Sequence, residues 1–267
     1  MAARQSSGCR GSSGLGFMIA STLAICYFHV AMAQDDESLS NEQKVALEWI
    51  RVAEGDGARI RDSDIYPLLR RWIHASSPVE ILEIGAGQGI CSDKIDLNGR
   101  RYTGVEPSSI LVDRAQELYR AENRRFLRGS AYDLPFSDGA FDAVFSVSVW
   151  HLLSDLQNAA QEMSRVLKAD GRFLMITANP SAYSLWKELY ATTRIEGRRL
   201  EGTVQLSDQS VLHEVLYLHT LDEILISLRD AGLEVEETET FRPSERAGGQ
   251  RSFISIQGKK ASKDRRD

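Results

Sequence analysis

The segment VEILEIGAGQG, residues 79–89, constrains the fold most: an apolar run passes into three glycines at every second position, Gly85, Gly87 and Gly89. A short apolar run bounded by glycines reads as a buried strand of a parallel sheet. Glycines at its carboxyl end let the backbone turn tightly where a ligand approaches closely. A nucleotide-like ligand is therefore expected. The dinucleotide fingerprint needs a small residue where Ile90 stands, and a P-loop needs a Gly-Lys-Ser/Thr ending that the segment lacks. Glu83 places a carboxylate beside the turn, which repels a pyrophosphate and attracts an ammonium or sulfonium. A cationic ligand fits better than NAD.

A second strand is expected in RYTGVEPSS, residues 101–109, ending at Glu106, with Pro107 and Ser108 opening a helix. An acidic side chain at that strand end can accept both hydroxyl protons of a ribose. The competing reading places Glu106 in the first turn before a helix, favoured there by the helix dipole.

Four segments in order, VEILEIGAGQG, YTGVEPSS, GSAYDLPFSDGAFDAVFSVSVWHLL (129–153) and RVLKADGRFLMIT (165–177), resemble successive motifs of the class I S-adenosylmethionine-dependent methyltransferases. Within that class the chain is most similar to the methyltransferase type 11 group, which includes quinone-biosynthesis methyltransferases. The resemblance covers residues 60 to 258. It implies S-adenosyl-L-methionine as cofactor and in-line methyl transfer to a small-molecule acceptor. It also implies that Gly85, Gly87 and Gly89 line the methionine end and that Glu83 holds the amino group directly or through water. Glu106, next to Pro107, would take the ribose hydroxyls. Adenine would lie near Ser130, Ala131 and Tyr132, and backbone around Ser146 and Val147 would border the methionine moiety. Ser130 departs from the aspartate common in the family, being shorter and uncharged. Asp133 either compensates or is a solvated loop carboxylate.

Composition agrees with an ordinary enzyme. At 267 residues, 42% hydrophobic and 26% charged, one large core and one catalytic domain suffice. A formal charge of -6 argues against a general nucleic-acid binder, which needs a concentrated basic surface. The basic run at 259–267 reads as a solubilising tail. His29, His74, His151, His213 and His219 show no zinc or facial-triad spacing, so no metal is expected.

Residues 1–33 resemble a signal peptide. They carry Arg4 and Arg10, no acidic residue, an apolar run from Leu15 to Val30 and an A-x-A site at 31–33. That run falls short of the ~20 residues a spanning helix prefers, which makes a membrane anchor the weaker alternative. Export conflicts with a cofactor made inside cells. Translation from Met32, giving a cytoplasmic chain, resolves the conflict; an organelle presequence is another resolution. Beyond the leader only Cys91 remains, so no intrachain disulfide forms there, and Cys91 reads as a small packing residue.

Periodicity predicts cap helices at 40–53 and 64–75 within a 34–78 cap. Alternating strands and helices then run through a 79–258 domain. Strands are expected at 79–84, 101–106, 125–128, 142–147 and 171–177, with helices at 88–96, 109–121, 155–167 and 220–231. Residues 233–241 and 251–257 read as a terminal antiparallel pair, joined through a turn region containing Gly248 and Gly249. The fold class is α/β, a Rossmann-like doubly wound, mostly parallel sheet with a terminal antiparallel strand and a helical cap and insertion.

The insertion, residues 181–219, is expected to overhang the reaction centre and choose the acceptor. It offers Tyr183, Trp186, Tyr190, Arg194, Arg198, Arg199, His213, Tyr217 and His219. The competing reading makes Tyr183, Trp186 and Tyr190 the buried face of one helix. His151, after the fourth strand, is the candidate base because imidazole titrates near neutrality; a structural histidine is the alternative. Two other functions stay open: a non-catalytic exported or membrane-anchored binding protein with this fold, and an NAD-dependent oxidoreductase, which Ile90 disfavours.

Overall fold

The computed structural model describes residues 39–55, 58, 61–184, 191–205, 209, 211–241 and 252–262. The leader, Met32, Trp186, Tyr190, the Gly248–Gly249 turn and the tail beyond residue 262 lie outside them. Among the described residues, no helix is long and apolar enough to cross a membrane.

Helix α1 (Asn41–Glu54) and helix α2 (Tyr66–Ser76) precede the sheet. A π-turn at Arg61–Ile65, which periodicity did not predict, leads into α2. Strand β1 (Glu80–Ile84) follows, then the single turn α3 (Cys91–Lys94), β2 (Arg101–Glu106), α4 (Ser109–Tyr119), β3 (Arg124–Arg128) and β4 (Phe141–Val147). Next come α5 (Leu156–Val166) and β5 (Leu167–Ala178), then β6 (Ala191–Glu196), β7 (Arg199–Gln205) and β8 (Val211–Tyr217). Helix α6 (Leu221–Asp230), β9 (Leu233–Phe241) and β10 (Phe253–Lys260) close the order. The helix expected over 88–96 is reduced to four residues because Ile95 is already extended, with φ -110° and ψ 151°.

The main sheet runs β3-β2-β1-β4-β5-β10-β9, with β1 through β5 parallel and β10 antiparallel to both its neighbours. It is the Rossmann-like doubly wound sheet expected. Parallel strands covered on both faces must be apolar on both, and the period of two divides β1 and β4 between two cores. Leu82, Ile84 and Val144 join α5 and α6 through Met163 and Leu228. Ile81, Ala143 and Phe145 join α2, α3 and α4 through Leu69, Cys91 and Ala115. Each large side chain so buried contributes roughly 1.5–3 kcal/mol. Glu83 falls on the Ile81 side of β1, among Tyr102 and Cys91.

The insertion corrects the expectation of a helical segment. After a short 3-10 turn at Pro180–Ala182, its described part from Ala191 to Tyr217 is a three-stranded antiparallel sheet, β6-β7-β8. VLHEVLY in β8 alternates, burying Leu212, Glu214 and Leu216. Gly197, at φ 58°, takes the first position of the two-residue turn between β6 and β7, a backbone region L side chains avoid.

Candidate active site

Strand order reverses at β1, with β2 on one side and β4 on the other, so loops leaving the carboxyl ends of β1 and β4 diverge and leave a crevice. A cavity of about 690 Å³ lies there. Of the residues expected at the cofactor, Glu83, Gly85, Gly87, Glu106, Pro107, Ser130, Ala131 and Tyr132 line it, whereas Gly89, Ser146 and His151 do not.

Gly87 and Gly89 share a left-handed backbone, at φ 55° and 85°, but divide the work. A Cβ on Gly87 would meet no atom within 4 Å and would project into open space beside the ligand path. One on Gly89 would sit 2.7 Å from Phe126 and 3.0 Å from Ala115, so Gly89 lets the turn close onto β3 and α4.

Two carboxylates stand at the strand ends. Glu106 Oε2 accepts the Gly87 N–H at 3.1 Å and Oε1 accepts the Ser108 N–H at 3.1 Å, which fixes the carboxylate at the cavity rim. Burial raises its pKa, and those two hydrogen bonds oppose the rise. Glu83 is fully buried and accepts the Tyr102 hydroxyl. Burial pushes its pKa up to about 7, against the lowering influence of the Tyr102 and Cys91 hydrogen bonds and the Arg61 charge. Desolvation likewise raises the Cys91 thiol and the Tyr66 phenol, both on the cavity wall.

At the other side, Ser130 Oγ accepts the Tyr132 N–H at 3.2 Å, forming a tight turn. Tyr132 Oη accepts the Ser154 N–H at 2.8 Å, tying the ring to the start of α5. Asp133 is exposed and outside the lining, the position of a solvated loop carboxylate. Ser146 accepts from Trp150 Nε1 at 2.9 Å, and the cavity is instead bordered after β4 by Val147, Ser148 and Val149. Ser148 holds φ at 59°, uncommon for a residue other than glycine.

His151, the candidate base, lies beside the cavity rather than in its lining. Nδ1 lies 2.9 Å from Thr177 Oγ1, and burial lowers the imidazole pKa to about 4. Among the described residues, no group of three or more His, Cys, Asp or Glu converges as a metal site.

Sequence reasoning missed two parts of the wall. Val45, Ala46, Trp49 and Ala53, one face of α1, line the cavity, whereas no described residue of 181–219 does. The spacing in KVALEWIRVA carried that signal, but any amphipathic helix shows it. Arg61, brought to the wall by the π-turn, has Nη1 buried without a hydrogen-bond partner among the described residues.

Residues 82–175 match the family model of the Methyltransferase domain, type 11. The span contains β1 to β5 and both carboxylates. Over this span the chain is similar to the class I S-adenosylmethionine-dependent methyltransferases of type 11. S-adenosylmethionine is the cofactor of this family. The chain is 36% identical over 99 residues to the uncharacterized methyltransferase YcgJ of Bacillus subtilis, covering 36% of this chain and 39% of that one. It is 33% identical over 102 residues to a fatty-acid O-methyltransferase of Mycolicibacterium smegmatis, covering 38% and 37%. Over 176 residues it is 27% identical to the O-methyltransferase resE of Aspergillus sclerotiorum, covering 61% of each. The chain thus spans about two fifths to three fifths of the length of these relatives. A SAM-dependent methyltransferase of Methanosarcina mazei shares the fold, with TM-score 0.59 and 20% identity over 72% of this chain and 97% of that one.

Proposed function

We propose that this methyltransferase transfers a methyl group from S-adenosylmethionine to a small, mostly apolar acceptor. The observation that carries the reading is one cavity holding a buried carboxylate, a rim carboxylate and a guanidinium whose Nη1 is buried without a hydrogen-bond partner among the described residues, with an apolar remainder. These groups fit the cofactor's charges. Glu83 would hold the ammonium and Glu106 the ribose hydroxyls. Arg61 would hold the carboxylate, since a buried donor without a partner is costly and an anion satisfies it. Gly85 and Gly87 would admit the methionine moiety. Pro107, Ser130, Ala131 and Tyr132 would frame the nucleoside, with backbone N–H and C=O groups or water standing in for the missing aspartate.

When bound, the cofactor supplies an activated methyl group on a sulfonium. What the protein adds is alignment and exclusion of water. Val45, Trp49 and Leu152 present apolar surface to the acceptor. That chemistry suits a fatty or aromatic molecule, as does the similarity to a fatty-acid O-methyltransferase. His151 is assigned to holding Thr177 rather than to proton abstraction. The test is transfer of radiolabelled methyl from S-adenosylmethionine to a panel of fatty acids, phenols, sterols and short peptides. Labelling confined to apolar acceptors is expected. Labelling of peptides alone would overturn the acceptor class.

A further inference from the structure

The insertion sheet leaves no described side chain in the cavity, yet it touches the helix that does line it. Glu48 lies on α1 immediately before Trp49. Its Oε2 accepts the His213 backbone N–H at 2.8 Å, and its Oε1 lies 2.9 Å from His213 Nδ1 on β8. Both carboxylate oxygens are therefore engaged by one residue of the insertion. The Glu48 side chain is only 12% exposed, so its charge is sheltered on α1, while His213 approaches from the solvent side at 64%.

We infer that Glu48 is a positioning residue: through Glu48 and His213 the β6-β7-β8 sheet clasps α1 against the cavity, and the insertion acts on the acceptor by holding the Trp49 wall. Two structural asymmetries support this. The sheet itself is well anchored, with Leu200 and Leu216 packed on Leu152 and Leu218, and with Arg198 paired to Glu223 of α6. Helix α1, by contrast, is held by a small apolar cluster, Ala46 and Ile50 on Leu111, and near its carboxyl end by Glu54, which accepts from Arg114 Nη2 at 2.6 Å. The clasp joins the anchored sheet to α1 midway along the helix, between Ala46 and Ile50 of its apolar cluster and ahead of the Glu54 contact. Its importance as a wall rests on the proposed reaction site, but its existence as a contact does not.

The test is hydrogen exchange of the full chain, free and with S-adenosylhomocysteine, for Glu48→Ala, Glu48→Gln, His213→Ala and the Glu48→Ala/His213→Ala pair. Glu48→Ala should raise amide exchange across residues 45–53 at least tenfold, leave β1 and β4 unchanged, and shift the acceptor panel towards bulkier molecules while S-adenosylhomocysteine affinity stays within about threefold. Glu48→Gln, whose carboxamide oxygen still accepts the His213 N–H, should show a smaller rise. The double variant should exchange no faster than the faster single one, as partners in one contact do. Unchanged exchange in α1, independent additive effects, or a rise spread through β1 and β4 would each overturn the clasp. Failure of the unsubstituted chain to bind S-adenosylhomocysteine would instead overturn the proposed function, with the ligand-free comparison still deciding the clasp.

Discussion

Gly87 donates its backbone N–H to Glu106 Oε2 across 3.1 Å, joining the turn after β1 to the end of β2. The contact orients the carboxylate that the ribose would meet. Glu106→Ala should therefore weaken binding by about 1.5–3 kcal/mol, roughly one to two decades in affinity. Calorimetric titration with S-adenosylhomocysteine measures it, and unchanged affinity removes the ribose assignment.

Gly87 and Gly89 make a discriminating pair. Gly89→Ala drives a methyl into Phe126 and Ala115, and should lower stability by about 2 kcal/mol or more through overpacking and left-handed strain. Gly87→Ala meets open space, so its stability cost should stay near the strain alone, about 1 kcal/mol, while cofactor affinity falls. Urea midpoints and titrations of both variants separate the two roles. Equal stability losses would contradict the division.

Glu83 predicts two opposite pH trends. In the free protein its pKa is raised from 4.5 to about 7 by burial. Its contribution to stability is present in full below the unfolded value and is lost as pH rises towards and through 7, on the order of 3 kcal/mol in all. Ammonium binding needs the ionised form, so cofactor affinity should fall about tenfold per unit as pH drops below 7. Thermal melts and titrations from pH 5 to 8 check both trends, and Glu83→Gln should flatten both.

The strands and carboxylates were legible in the sequence because a parallel strand covered on both faces is apolar or small over most of its length, and its ligand-facing end is glycine or polar. Residues 79–84 and 101–106 show this, agreeing with β1 and β2 to within one residue. Gly87 and Gly89 could not be told apart, since only the distant Phe126 distinguishes them. Arg61 carries no periodic signal; its role arises from the π-turn and the depth of the cavity. The strands of the insertion were hidden because β8 carries a two-residue period under polar His213 and Glu214; the helical spacing of Tyr183, Trp186 and Tyr190 falls mostly outside the described residues.

Trp49 should govern the acceptor and not the cofactor. It lines the cavity from α1, whereas Glu83 and Glu106 line it from the sheet. Trp49→Ala should leave S-adenosylhomocysteine affinity within about threefold, under about 1 kcal/mol, since the cofactor's charged groups are assigned to Glu83, Glu106 and Arg61. It should shift the acceptor panel towards bulkier molecules. Lost cofactor binding with an unchanged acceptor profile would reverse the assignment.

The central claim is that this cavity holds S-adenosylmethionine, and equilibrium titration of the folded chain with S-adenosylhomocysteine and, separately, with NAD tests it most directly. Saturable one-to-one binding of S-adenosylhomocysteine, with no binding of NAD, is the predicted result. A folded sample that binds no S-adenosylhomocysteine at millimolar concentration would contradict it.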